Sequence, residues 1–279
     1  MDGRALAARI REGLKAEIAG FGDVRLATVL VGDDPASQIY IRLKHKAAEE
    51  VGIQALDRRL PQDTPEEELL GLVEELNDDD AVDGILVQTP LPPQVDEDRV
   101  MRALDPMKDV DGLHPYNAGQ LFFGHETLVG ATPVGVMRLL AEYKIRVAGA
   151  RAVVVGRSLI VGRPLAMLLL HANATVTMCH SRTEDLARHT LDADILVAAV
   201  GSLGLITTDM VKTGAAVIDV GMNRTEEGLF GDVDPGVADV AAFLTPVPGG
   251  VGPMTIACLL ENALKAARYR SGALAFPRI

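Results

Sequence analysis

The sequence predicts an α/β protein of two domains, each built on a mainly parallel sheet with crossover helices. Three observations predict it. Apolar, β-branched runs alternate with helix-periodic runs along the chain, the pattern of strand, crossover helix and parallel strand. One alternation, Ala152-Val-Val-Val-Gly-Arg-Ser-Leu-Ile-Val-Gly-Arg-Pro-Leu-Ala-Met-Leu-Leu-Leu170, passes from strand to helix through a turn bracketed by Gly156 and Gly162. A chain of 279 residues with 48% hydrophobic composition can bury two modest cores more readily than one large one.

In the first half the strands are 26–31, 54–60 and 84–88. Asp34 caps a helix with Pro35 at its first position, running to Val51 and stopped by Gly52. Thr64 and Glu67 make a capping box with Pro65 first, opening a helix to about Leu76. From Thr89 to Gly130 the pattern is irregular, punctuated by Thr-Pro-Leu-Pro-Pro93, Pro106 and Pro115. A bridging helix begins after Thr132-Pro133. The second half carries strands at 152–155, 175–179, 195–199 and 216–220, and residues 253–268 form an amphipathic helix. The expected domains are 1–130, completed by the C-terminal helix 253–279, and 131–252.

Bulk properties exclude several classes. The net charge of −12 disfavours a nucleic-acid or anionic-membrane partner. No run is long and apolar enough for a transmembrane segment, and Met1-Asp-Gly-Arg-Ala5 does not read as a secretory signal. Cys179 and Cys258 fit reduced, partly buried thiols of a cytoplasmic protein. The six histidines lack ligand spacing, so no metal is expected.

The Gly156–Gly162 turn suits a pyrophosphate, because glycines let the backbone approach and the helix N-terminus offers N–H groups and a positive dipole end. An ordinary βα turn has the same outline. The next strand ends in His180-Ser181-Arg182-Thr183, with no carboxylate before Glu184. A carboxylate there would bond the 2′-hydroxyl of NAD, whereas arginine donates two parallel bonds to a 2′-phosphate. Arg157, Ser181 and Arg182 therefore favour NADP over NAD.

On the 35–51 helix, Ser37, Tyr40 and Lys44 share one face, with Ile39, Leu43 and Ala47 as an apolar stripe beside it. A lysine becomes a useful acid/base when its amine is desolvated. Gln88 ends a buried strand at its carboxyl end, where ligands collect in open α/β sheets, and is within reach of such a lysine. Lys108-Asp-Val-Asp-Gly112 supplies Asp109 and Asp111, one expected to be structural and one to face a ligand. Thr245-Pro-Val-Pro-Gly-Gly-Val-Gly-Pro-Met-Thr255 is a glycine-rich loop, with Pro253 and Thr255 opening the last helix.

These segments, in this order, resemble the methylenetetrahydrofolate dehydrogenase/cyclohydrolase family. The carriers are Ala36-Ser-Gln-Ile-Tyr-Ile-Arg-Leu-Lys-His-Lys46, Val87-Gln-Thr-Pro-Leu-Pro92, Lys108-Asp-Val-Asp-Gly112, Val155-Gly-Arg-Ser-Leu-Ile-Val-Gly-Arg-Pro164 and Pro246-Val-Pro-Gly-Gly-Val-Gly-Pro-Met-Thr255. The resemblance spans residues 2 to about 265. It implies an N-terminal α/β substrate domain and a C-terminal Rossmann-type NADP-binding domain, an active-site cleft between them, and a homodimer. It also implies oxidation of 5,10-methylenetetrahydrofolate with NADP⁺, then hydrolysis to 10-formyltetrahydrofolate. Lys44 would be the central acid/base, Gln88 would tune it, Tyr40 would orient the folate and Asp111 would anchor the pterin. Pro253 and Thr255 would contact substrate, and Gly156, Arg157, Ser158, Ile160, Gly162, Ser181 and Arg182 the cofactor. Two positions depart from the family pattern: Gly130-Ala-Thr-Pro133 lacks a frequent cysteine, so no nucleophile is assigned there, and Arg4 replaces a common lysine. A shikimate-type dehydrogenase shares the two-domain plan, and a silent nucleotide-binding protein could keep the fold. The first does not account for Tyr40 with Gln88, nor the second for the intact set Lys44, Gln88 and Asp111.

Overall fold

The computed structural model describes residues 1–277. They divide into two compact units: Arg9–Ala131 with the chain from Ile256 onward, and Met1–Ala8 with Thr132–Thr255. The first eight residues, expected with the first half, thus group with the second. Gly3 shows why: its N–H donates to Gly249 O at 3.0 Å, and a Cβ on it would lie 1.8 Å from Gly250 O. Only glycine permits that approach.

The first half runs α1 (Gly3–Phe21), β1 (Val24–Val31), α2 (Pro35–Val51), β2 (Ile53–Leu60), α3 (Glu66–Asp78), β3 (Gly84–Val87), α4 (Glu97–Ala103) and α5 (Pro115–Phe122). Its sheet is parallel in the order β2-β1-β3. β1 is almost wholly buried, as a central parallel strand covered on both faces must be. Val29, Ile85 and Val87 pack with Leu69, Val73 and Leu76 of α3 and with Val100 and Met101 of α4.

The second half runs α6 (Ala131–Glu142), β4 (Arg151–Val155), α7 (Gly162–His171), β5 (Thr175–Cys179), α8 (Leu186–Thr190), β6 (Ile195–Ala198), β7 (Ala216–Asp219), the strands β8 (Asn223–Thr225) and β9 (Gly228–Phe230), β10 (Phe243–Leu244) and α9 (Val251–Arg270). The sheet order is β10-β7-β6-β4-β5, all parallel. In order of appearance this is the doubly wound 2-1-3-4-5 arrangement, whose winding reverses between β4 and β6. β8 and β9 pair as a separate antiparallel hairpin.

Several expectations change. The Asp34 cap holds, its carboxylate accepting from Ser37 N at 2.7 Å, and Gly52 closes α2 at φ 92°. The Thr64 capping box does not form. Thr64 N–H donates to Pro61 O, so Glu67 has no cap N–H to accept from, and its carboxylate pairs with Arg99 instead. Thr64 Oγ1 is buried without a partner. The expected stripe on α2 fails at two of its three positions: Ile39 and Leu43 face outward, whereas Ala47 is buried, with Ser37, Ile41, Lys44 and Ala48. α6 and α9 begin two residues before their prolines, which is tolerated because first-turn N–H groups lack helical partners. α1, α4 and α5 lack a counterpart in the sequence reading. Among the described residues no helix is long and apolar enough to cross a membrane, and no cluster of three metal-ligating side chains occurs.

Candidate active site

The first unit gathers its chemistry at the carboxyl ends of β1 and β3. There its three-strand winding reverses, and crevices form at such points. α2, the crossover from β1, carries Lys44 on its buried face, and β3 runs directly into Gln88. Lys44 Nζ donates to Gln88 Oε1 at 3.0 Å. The Gln88 amide is held in turn, its Nε2 donating to Thr89 O at 2.8 Å and its backbone N–H to Val29 O. Burial pushes the Lys44 ammonium below its ordinary value, and the charge of Asp111 opposes this. Burial likewise pushes the Asp111 carboxyl up, with Lys44 pulling it back. Tyr40 stands one turn before Lys44 and is half-buried.

Of Asp109 and Asp111, the sequence leaves open which is structural. Asp109 is the structural one, its Oδ2 accepting from His114 N at 2.7 Å and from Asn117 Nδ2 at 2.9 Å. Its strand borders β3 through a bridge to Ile85. Asn262 on α9 donates to both Val110 O and Val129 O at 2.7 Å, pinning the backbone between the aspartates. Lys108 is not a site residue. Its buried Nζ donates to Leu76 O, Asn77 O and Asp79 O at 2.9, 2.6 and 2.8 Å, closing the end of α3, where carbonyls lack helical donors.

The second unit presents a different surface. Gly156 ends β4 at φ 129°, where a Cβ would lie 2.3 Å from Ala199 O, and a Cβ on Gly162 would lie 2.2 Å from Gly156 O. Both glycines are therefore sterically required by the turn. Ser158 Oγ accepts from Val161 N at 3.1 Å and Gly162 N at 3.3 Å, so its own O–H is what it offers a ligand. Arg157, Ser158, Ile160, Ser181 and Arg182 are all exposed. Because β4 and β5 pair Val155 with Cys179, the ends carrying Arg157 and Ser181-Arg182 are neighbours. A nucleotide with an extra phosphate on its adenosine ribose fits this rim of donors. Pro253 and Thr255 are half-buried in the same unit, Thr255 Oγ1 lying 2.9 Å from Thr132 Oγ1 and donating to Val251 O.

Asn262, Asn117, Asp219 and Asp232 escaped the sequence reading. A buried asparagine or aspartate signals itself only through partners distant in sequence, although the repeated pairing of Asp with Gly at 219–221 and 231–232 was a readable hint.

A doubly wound crevice rimmed by glycines and arginines, in a chain that also holds a buried lysine at a second such crevice, defines a two-domain nucleotide-dependent dehydrogenase. The catalytic-domain profile of the tetrahydrofolate dehydrogenase/cyclohydrolase family matches residues 1–111, and its NAD(P)-binding-domain profile matches residues 130–271. A bifunctional protein FolD of Methanospirillum hungatei is 55% identical over 274 residues, covering 98% of each chain. The crystal structure of the bifunctional FolD of Campylobacter jejuni superposes with a TM-score of 0.94 at 48% identity, over 96% of this chain and 98% of that one. The Trypanosoma brucei enzyme, solved with NADP cofactor and inhibitor, gives 0.93 at 40% identity over 98% of each. The chain belongs to the tetrahydrofolate dehydrogenase/cyclohydrolase family.

Proposed function

We propose that this chain oxidises 5,10-methylenetetrahydrofolate to 5,10-methenyltetrahydrofolate with NADP⁺ and hydrolyses the product to 10-formyltetrahydrofolate. The observation that carries the reading is the buried Lys44 amine bonded to Gln88, its pKa lowered, beside Asp111.

When bound, the nicotinamide supplies the acceptor for the hydride. The residues of this chain then position folate and cofactor, which is most of what hydride transfer requires. Arg157, Ser181 and Arg182 would hold the 2′-phosphate, Ser158 and the Gly156–Gly162 turn would take the pyrophosphate, and Ile160 would give the cofactor an apolar contact. Lys44 acts on the second reaction. A desolvated amine is neutral in a larger share of molecules, so it can accept the proton lost by water as the C–O bond to the methenyl carbon forms. The same ammonium returns that proton to nitrogen as the ring C–N bond breaks, and the remaining hydroxyl proton leaves to solvent as the formyl C=O forms. Gln88 Oε1 occupies one Nζ–H and so orients the lone pair. The Asp111 carboxylate accepts paired N–H bonds from the aminopyrimidinone of the pterin, and Tyr40 packs on the ring, with Pro253 and Thr255 as further substrate contacts.

The reading includes a folate domain of residues 1–130 completed by the C-terminal helix, save that the first eight residues group with the second unit, and a cofactor domain of residues 131–252. It also includes a cytoplasmic homodimer, supported by the family resemblance and open to test by sedimentation. The deciding experiment mixes the protein with methylenetetrahydrofolate and NADP⁺ and follows NADPH and methenyl absorbance together. NADPH with little methenyl product is expected. NADPH with accumulating methenyl product would remove the cyclohydrolase half, and no turnover would overturn the reading.

A further inference from the structure

Behind the cofactor turn lies a pair of buried carboxylates with no part in the chemistry above. Asp232 is fully buried. Its Oδ2 accepts from Val200 N at 2.7 Å and Gly201 N at 3.0 Å, and its Oδ1 from Ser202 N at 2.8 Å and Asn223 Nδ2 at 3.0 Å. Asp219, at the end of β7, forms a second layer. Its Oδ1 accepts from Gly221 N and Asp232 N, both at 2.9 Å, and its Oδ2 from Val233 N at 3.0 Å. The fit admits no side chain at the neighbouring glycines. A Cβ on Gly221 would lie 2.2 Å from Asp232 Oδ1, and one on Gly231 would lie 1.7 Å from Asp219 Oδ2. Burial pushes the Asp219 carboxyl up to about 6, against those three backbone donors.

The loop these carboxylates hold follows β6, and β6 with β4 flanks the point where the sheet winding reverses. Ala199 O at the start of the loop faces the Gly156 backbone so closely that a methyl would not fit. The two sides of one crevice therefore differ in kind. The β4 side offers a hydroxyl and arginines. The β6 side has three successive backbone N–H groups committed to a carboxylate behind it, and N–H groups are what a loop uses to hold phosphate.

We propose that Asp232 is a positioning residue for the nicotinamide-bearing half of the dinucleotide: by taking the N–H groups of Val200, Gly201 and Ser202 it makes the loop after β6 a surface of acceptors, which receives hydroxyl and carboxamide donors and turns phosphate away. The inference rests on the NADP reading and adds a division of labour within the crevice. Asp219 acts one layer further back, fixing the backbone of Asp232 itself.

The test is direct binding by calorimetry, without turnover. Asp232→Asn presents an amide N–H₂ to two of the four donors whichever way it flips. It should weaken NADP⁺ binding by about 10-fold or more while leaving adenosine 2′,5′-bisphosphate, which has no nicotinamide half, bound as in the wild type. Equal loss for both ligands, or loss for neither, would overturn the proposal. Should that variant fail to fold, Asn223→Ala removes one donor to Asp232 and should show the same asymmetry at about fivefold. In the unliganded wild type, the amides of Val200, Gly201 and Ser202 should exchange slowly, and rapid exchange would also overturn it. Failure of the wild type to bind NADP⁺ at all would instead be a failure of the cofactor reading.

Discussion

The two crevices use the same topology for opposite electrostatic ends. Both sit where a parallel sheet reverses its winding, at the carboxyl edge of the strands. In the first unit a cation, Lys44, is buried and its pKa lowered, which suits it to the proton transfer proposed for it. In the second, the cations Arg157 and Arg182 stay in water at the rim, where we propose they meet a phosphate, and the buried groups are aspartates that shape backbone. The lesson is that burial, more than residue type, decides whether a charged side chain handles protons or merely attracts. A solvated lysine would serve at the rim, and a solvated lysine in place of Lys44 could not act as a base near neutrality.

Lys108→Met should destabilise the first unit by about 3–5 kcal/mol, because one buried and two partly buried carbonyls lose one charged donor. Denaturant unfolding measures it, and a loss under 1 kcal/mol, the range of a surface change, would mean the end of α3 is held otherwise. Gly156→Ala places a methyl against Ala199 O at a φ that favours glycine. It should cost about 100-fold in NADP⁺ affinity and leave hydrolysis of supplied methenyltetrahydrofolate intact, since that reaction needs no nucleotide. Joint loss of both would deny that the crevices are separable. Arg157→Ala should weaken NADP⁺ about 10-fold with NAD⁺ little changed, and an equal effect on both would remove its role at the 2′-phosphate. The smallest effect is expected from pH. The hydrolysis rate should fall on acidification as Lys44 becomes protonated. Asp111 raises the Lys44 pKa, so Asp111→Asn should move that acid limb to lower pH at saturating folate. A shift to higher pH would contradict the assigned interaction.

Much of this was legible in the sequence wherever the signal is local. The Asp34 cap and Gly52 stop bracket α2 because both act within one helical turn, and the Gly156–Gly162 turn announces itself because the glycines meet each other. Lys44 and Gln88 were traceable because topology brings a crossover helix to the edge of its own sheet. What stayed hidden depends on distant partners. Asn262 holds Val110 across 152 residues, and Lys108 looks like a motif charge until the end of α3 is seen beneath it. Thr64 failed for a local reason of another kind: two acceptors, Pro61 O and Glu67, competed for one N–H and the nearer turn took it. Ile39 and Leu43 misled because the buried face of α2 had been given to Ser37 and Lys44, an arrangement that costs stability and marks function.

The most direct measurement is the time course of NADPH and methenyl absorbance in Lys44→Met, with methylenetetrahydrofolate and NADP⁺ supplied. NADPH should still form while the methenyl product accumulates, its hydrolysis slowed by about 100-fold or more. Methenyl hydrolysis at the wild-type rate, or equal loss of both reactions with binding retained, would contradict the role of the buried amine.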